Sequence, residues 1–424
     1  MTVALSGRVP IGESLSLTLD GLAPGGLVTI TGTLAGPDGL RWRSSADFTA
    51  DSSGTVDVAS AAPAAGSYQG ADANGLLWSL VPDQPQAAES SAVLSGLTAL
   101  DIEISCQAGG RQVACGQVRV ERTGPGTSLR AVREDGLVGE LQLPAGSGPF
   151  PPVLVVGGSG GDANEGVAAF LAAHGYLALA LQYFAAPGLP AELIDIDLEY
   201  FGRALRWLAR QPEAAPGRLG VVGRSRGGEL ALLLGLHLGV ETVIAFVPSG
   251  IVHSGIRPGP DGWLSDAPAW RFDGRALPYL SHAGGKLEWL DGAIWCTPTY
   301  LRALADWSSV QAATMALEEC SSDVLLISGT DDAVWPSALF GELALSRLRR
   351  RGHAARHRHL ALPGAGHRFL PSALPATVTT VRHAQAGERL VLGGTPAGNA
   401  RAGQLAYAAM LAALGGKLAE EEPN

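Results

Sequence analysis

Leu219-Gly-Val-Val-Gly-Arg-Ser-Arg-Gly-Gly228 is the stretch whose reading decides the rest of the chain. Gly223 to Gly227 form a Gly-x-Ser-x-Gly pattern. An apolar run leads into it, and the Ala/Leu-rich segment Gly228 to Leu238 follows. The run reads as a buried strand and the segment as a helix. Between them the glycines let the backbone turn sharply without side-chain clashes, so the serine stands exposed at the carboxyl edge of a sheet. The helix then aims its first amides at the same place, where a developing negative charge would be stabilised. Ser225 is therefore the expected nucleophile of a serine hydrolase.

A serine nucleophile needs a base and an acid that orients it, and in an α/β hydrolase the chain order is Ser, Asp, His. Asp323-Val-Leu-Leu-Ile-Ser-Gly-Thr-Asp-Asp332 reads as a strand ending in an acidic turn. The Gly-x-x-Asp spacing selects Asp332, with Asp331 as the alternative. Leu360-Ala-Leu-Pro-Gly-Ala-Gly-His367 repeats the grammar of strand, glycine-rich loop and functional residue, so His367 is the expected base. His353, His357 and His359 lie in the basic stretch Arg347 to His359, read as a solvated helix end and loop, and His174 reads as a helix end. Val156-Gly-Gly-Ser-Gly-Gly161 follows another apolar run and is the expected oxyanion loop. One donor is the Arg226 amide; the second comes from Ser159 or Gly160.

Other chemistries lack their patterns. There is no Gly-x-x-x-x-Gly-Lys-Ser/Thr phosphate loop, no His-Glu-x-x-His and no Cys-x-x-Cys, so no cofactor or metal site is expected. His353 and His357 have ligand-like spacing but sit among arginines that would repel a cation.

Outward from the elbow, two halves differ. Residues 1–124 carry short alternating segments such as Ser14 to Leu19, Val28 to Thr33 and Leu100 to Ser105, separated by Gly/Pro-rich turns. This is the pattern of an all-β, immunoglobulin-like sandwich. Residues 125–424 alternate apolar runs with helical periods: Val153 to Val156, Tyr176 to Leu181, and Asp195 to Arg210 with Leu198, Phe201, Leu205 and Leu208 on one side. A mostly parallel sheet follows, an α/β hydrolase domain. The interval 249–304, with Trp263, Trp270, Trp289 and Trp295, breaks the alternation. It reads either as a surface excursion stapled by aromatics or as a cap over the site.

A net charge of −10 argues against nucleic acid as partner, because phosphate contacts need a concentrated basic face. No apolar stretch is long enough to span a bilayer, and the first residues lack a signal-peptide pattern, so a cytoplasmic protein is expected. Four cysteines do not make a disulfide framework. Cys106 and Cys115 could face each other across a hairpin, but free thiols are the expectation.

Taken together, further segments make the chain resemble the acyl-CoA thioesterases that share their architecture with bile acid-CoA:amino acid N-acyltransferase. The likeness rests on Asp20-Gly-Leu-Ala-Pro-Gly25, Arg43-Ser-Ser-Ala-Asp-Phe48 and Gly75-Leu-Leu-Trp-Ser79, and later on Gly223-Arg-Ser-Arg-Gly-Gly-Glu-Leu230, Leu277-Pro-Tyr-Leu280 and Ile327-Ser-Gly-Thr-Asp-Asp-Ala-Val-Trp-Pro336. The resemblance implies a sandwich followed by an α/β hydrolase domain, and a triad at Ser225, Asp332 and His367. It implies an acyl-CoA or ester substrate and hydrolysis instead of transfer, since amidating members carry cysteine at the nucleophile position. With an acyl-CoA substrate, Arg224 and Arg226 either attract CoA phosphates, point into solvent or pair with acids. A carboxylesterase or dienelactone-hydrolase-like activity, transfer to an amino acid, and a binding protein with a vestigial site are the competing readings.

Overall fold

The computed structural model describes residues 3–351 and 355–418. The chain forms two compact units. The first comprises Met1–Gly124, Phe369–Thr379 and Thr395–Gln404, so it includes two late segments that a linear division at residue 124 does not anticipate.

Its main sheet has seven strands. Val3–Val9, Arg111–Val120, Leu100–Ala108, Leu27–Ala35, Arg41–Thr49 and Ala65–Gly66 lie in that spatial order, with Val81–Pro82 also pairing to Arg41–Thr49. Alternation is the physical cause: Val28, Ile30, Leu34, Trp42 and Phe48 all face one buried side. Among the described residues no second sheet of comparable size belongs to this unit. The same core is completed by Leu15, Leu17, Leu19, Val56 and Val58, around the two-stranded ribbon Thr18–Leu19 with Val56–Asp57. Cys106 pairs with Ala114 and Cys115 with Ser105, one position out of step. Period-two alternation therefore sends the two thiols to opposite faces, and both are free.

The second unit, Pro125–Arg368 with Thr380–Gly394 and Leu405–Asn424, is built on an eight-stranded sheet. Its strands are β1 (Ser128–Val132), β2 (Val138–Leu143), β3 (Pro152–Val156), β4 (Leu177–Gln182), β5 (Gly220–Arg224), β6 (Thr242–Phe246), β7 (Asp323–Gly329) and β8 (His357–Leu362). The order is β1-β2-β4-β3-β5-β6-β7-β8, antiparallel at the β1 and β2 edge and parallel from β4 onward. Every residue of β3 and β7 is buried, which is why Val153 to Val156 and Val324 to Ile327 read as unbroken apolar runs. The chief helices are α1 (Glu165–Ala173), α2 (Leu198–Ala209), α3 (Arg226–Leu238) and α4 (Ser337–Arg351). After β3 the chain turns to β4 on one side, and β5 lies on the other. Such a reversal opens a crevice at the carboxyl ends of the strands. The Gly157–Gly161 turn and Ser225 both follow strands at that crevice.

Residues 249–304 are buried in part and exposed in part. Ile251 to Ile256 are buried throughout, as are Trp263 and Trp270, whereas Trp289 is exposed. Short strands tie the interval to the rest of the unit: Trp270–Phe272 pairs with Ile196–Asp197, and Ala293–Trp295 pairs with Arg389–Val391. Among the described residues no helix is long and apolar enough to cross a membrane.

The elbow leaves no room for side chains. A Cβ on Gly223 would lie 1.8 Å from the Gly227 carbonyl oxygen, and one on Gly227 would lie 2.3 Å from that of Gly157. Gly227→Ala should therefore lower stability by ~1–3 kcal/mol, read as a drop in the urea midpoint with an unchanged slope.

Candidate active site

Ser225 sits between β5 and α3 with φ 60° and ψ −121°, a conformation that a non-glycine residue adopts only under constraint. Its amide donates to the Phe246 carbonyl at 2.9 Å, and its own carbonyl accepts from the Gly228 and Glu229 amides. The backbone is thus held on both sides while the side chain faces the crevice. Ser225 Oγ lies 2.8 Å from His367 Nε2. His367 Nδ1 lies 2.9 and 2.8 Å from the two carboxylate oxygens of Asp332. A carboxylate only accepts, so Nδ1 donates and Nε2 is left to accept from the serine hydroxyl.

Asp332 is fixed as firmly as the ring it faces. Its Oδ1 also accepts from the Val334 and Trp335 amides at 2.9 and 3.3 Å. Asp331 is exposed, and its carboxylate accepts from Thr330 Oγ1 at 2.9 Å. Of the two adjacent acids, Asp332 is the one brought to His367. His367 is placed by its backbone: its amide donates to the Leu392 carbonyl at 2.8 Å. All three side chains are buried.

Ser159, Gly160 and Arg226 occupy the positions expected of an oxyanion loop and helix start. A Cβ on Gly158 would stand 3.3 Å from Ser225 Cβ and 3.8 Å from its Oγ, so the glycine turn runs directly against Ser225. Tyr183 Oη donates to the Gly157 and Gly158 carbonyls at 2.9 and 3.4 Å, and Gln182 Nε2 donates to that of Gly161 at 2.8 Å. With those carbonyls tied off, the amides of Ser159, Gly160 and Arg226 donate to no group among the described residues. Sequence reading misses Tyr183, because an apolar strand followed by an aromatic carries no mark of the loop it pins.

The Arg226 side chain turns inward, away from any phosphate. It is 1% exposed, with Nη1 3.0 Å from Glu229 Oε2 and Nη2 donating to the His253 carbonyl at 2.9 Å. Trp270 Nε1 donates to Glu229 Oε1 at 2.6 Å. Burial pushes the Glu229 carboxyl up to about 7, against the pull of Arg226 and Trp270. His253 continues the network, with Nε2 3.0 Å from Ser249 Oγ and Nδ1 3.2 Å from His282 Nε2. Glu229, in the Gly-Gly-Glu-Leu continuation three residues after Arg226, was the available signal for this pairing; the histidines had none.

His359 also departs from its solvated reading. It lies on β8, buried, with Nε2 2.9 Å from Ser328 Oγ, because the strand begins earlier than the basic composition suggests. His357 is on the same strand, His353 lies outside the described residues, and His174 ends α1.

A doubly wound sheet of this order, with a Gly-x-Ser-x-Gly elbow and a Ser–His–Asp line across the ends of β5, β7 and β8, defines an enzyme of the α/β hydrolase class. The chain belongs to the acyl-CoA thioester hydrolase/BAAT family: residues 196–420 match the family described as BAAT / Acyl-CoA thioester hydrolase C terminal, and residues 12–134 match its N-terminal region. The peroxisomal succinyl-coenzyme A thioesterase of Mus musculus is 29% identical over 397 residues, covering 93% of this chain and 91% of its own. Human acyl-coenzyme A thioesterase 1 is 28% identical over 401 residues, covering 94% and 91%. The acyl-coenzyme A amino acid N-acyltransferase 1 of Mus musculus is 28% identical over 384 residues, covering 88% and 87%.

Burial makes the site sensitive to acid. It pushes His282 down to about 3 and His253 well below its usual range, with the Arg226 charge adding to both. These rings stay neutral when folded but take up protons when unfolded, below their ordinary value of 6.5. The unfolded state then binds more protons, so stability should fall as pH drops from about 6.5 toward 4, by up to ~1.4 kcal/mol per pH unit for each ring. Urea unfolding across that range checks this, and His282→Gln should make the decline shallower by about one ring's share.

Proposed function

We propose that the protein hydrolyses an acyl-CoA thioester to the free acid and CoA through a Ser225–His367–Asp332 triad. The observation that carries the reading is the 2.8 Å contact of Ser225 Oγ with His367 Nε2, in a ring whose other nitrogen is held by Asp332. Ser225 Oγ attacks the thioester carbonyl carbon while His367 Nε2 takes the hydroxyl proton. Asp332 stabilises the imidazolium that forms. The amides of Arg226 and of Ser159 or Gly160 receive the oxyanion. When the tetrahedral intermediate collapses, the carbon–sulfur bond breaks and His367 gives its proton to the CoA thiolate. Water then attacks the acyl-serine ester, His367 taking its proton and returning one to Ser225.

Family membership supports the thioester, and a serine in place of cysteine supports water as the acceptor. Arg224 supports CoA as leaving group. It is partly exposed beside the nucleophile, and Asp162 Oδ2, 3.8 Å away, is its nearest acidic partner. Arg368 follows the base, and burial together with the Arg224 charge pushes it down to about 10. Two guanidinium groups near one carboxylate leave a positive excess at the crevice, which suits a phosphate. The first unit is read as a reduced immunoglobulin-like sandwich, on the support of a main sheet and ribbon that share one core.

A panel of acyl-CoAs and p-nitrophenyl esters tests the reading. Ser225→Ala should abolish thiol release. Asp332→Asn should lower kcat by about 10⁴-fold and Asp331→Asn by less than about threefold. Ester turnover by the wild type without CoA release would reject the thioester substrate while keeping the triad. Arg224→Ala should raise KM for acyl-CoA several-fold at low salt and leave KM for the uncharged ester unchanged.

A further inference from the structure

Two buried side chains beside Ser225 take no part in the triad: Ser159 in the glycine turn and His383, just past the short strand Thr380–Arg382. His383 Nδ1 lies 3.1 Å from the Ala386 amide, which donates to it. A backbone N–H can only donate, so Nδ1 is bare and the ring proton sits on Nε2. His383 Nε2 is 3.0 Å from Ser159 Oγ. The ring is therefore the donor and the serine oxygen the acceptor. Burial, reinforced by the charge of nearby His367, pushes His383 down to about 4 and keeps it neutral. The Trp263 ring packs against it with centroids 4.9 Å apart, closing off other ring positions.

The consequence falls on the serine hydrogen. Ser159 Oγ uses a lone pair toward His383, and its own O–H meets no acceptor among the described residues although the side chain is buried. A buried hydroxyl proton without an acceptor is costly unless the site receives one during turnover. The turn that carries it is locked by Tyr183, Gln182 and Gln385, whose side chains donate to its carbonyls. Its backbone presses against Ser225, as the Gly158 approach requires.

We propose that the Ser159 hydroxyl donates a hydrogen bond to the oxyanion formed when Ser225 attacks, and that His383 is the positioning residue that holds the hydroxyl in its donating rotamer. No bond to Ser159 or His383 is made or broken. Ser159 thereby adds a side-chain donor to the backbone amides. This rests on the acyl-transfer reading of Ser225 and is independent of whether the substrate is a thioester.

The test is a double-mutant cycle run on p-nitrophenyl acetate as well as acyl-CoA, with Ki for a trifluoromethyl ketone, which forms a hemiketal oxyanion on serine. Ser159→Ala should lower kcat by about 10²-fold with KM within about threefold, and raise Ki by a similar factor. His383→Leu should lose less. The Ser159→Ala/His383→Leu double variant should be no slower than Ser159→Ala, because His383 acts only through that hydroxyl. His383→Gln, whose amide nitrogen reaches the place of Nε2, should recover most of the His383→Leu loss. Should His383→Leu fail to fold by its melting curve, Ser159→Ala and His383→Gln alone decide. Ser159→Ala activity within about twofold of wild type, or a double variant whose loss is the product of the two singles, overturns the proposal. Wild-type turnover of the ester without acyl-CoA would reject the thioester reading and leave this test intact.

Discussion

The backbone of Gly227 passes so close to the Gly157 carbonyl that a single methyl group would overlap it, and the catalytic edge depends on that approach. Two turns from different parts of the chain, one after β3 and one after β5, are pressed into contact at the reversal of strand order. Ser225 takes up the resulting constraint in its positive φ, at a place where a side chain would normally forbid it. The strain is sustained because the Ser225 amide and carbonyl are both hydrogen-bonded and the following helix starts at once. The Ser225 hydroxyl and the amides of Ser159, Gly160 and Arg226, unpartnered among the described residues, meet at the crevice as a product of that packing.

Behind Ser225 lies a second constraint of opposite character. Arg226 and Glu229 form a fully buried pair on the first turn of α3, bridged to Trp270 and His253 from the interval 249–304. Such a pair adds little net stability once desolvation is counted, but breaking it would strand a charge in the core. Its structural effect is to tie that interval to the helix that follows Ser225. The same interval sends Trp263 against His383, so the residues facing the oxyanion turn are held from outside the sheet. A rigid surround of this kind suits a reaction whose barrier is lowered by donors already in place before charge develops.

Legibility in the sequence followed the range of the physics involved. Ser225, Asp332 and His367 announce themselves because each follows an apolar strand through a glycine-rich or acidic turn, a pattern contained within about ten residues. The choice between Asp331 and Asp332 was a weaker inference from spacing; the structure separates them by exposure, since one carboxylate faces solvent and the other faces the ring. For Arg226 the sequence leaves phosphate attraction, solvent exposure and pairing with an acid all open. Helical periodicity carries its side chain to the buried face of α3, where Glu229 waits one turn on. His359 was misread because arginines around it mask a strand whose inward positions are buried regardless of their neighbours' charge.

By itself the sequence determined the alternation of strands and helices in the second half, the site of the elbow and the order of the three residues that meet there. Those follow from local pattern: hydrophobic period, glycine where a turn is tight, a polar residue at a strand end. Only the tertiary structure decided that the first half presents one large sheet with a ribbon instead of two matched sheets, because alternation shows which face is buried and not what covers it. Only the fold, too, brought Ser159 and His383 within hydrogen-bond distance across more than two hundred residues. Side chains joined by long-range contact leave no period or spacing in the chain, and their tautomers and rotamers depend on neighbours that the linear sequence does not place.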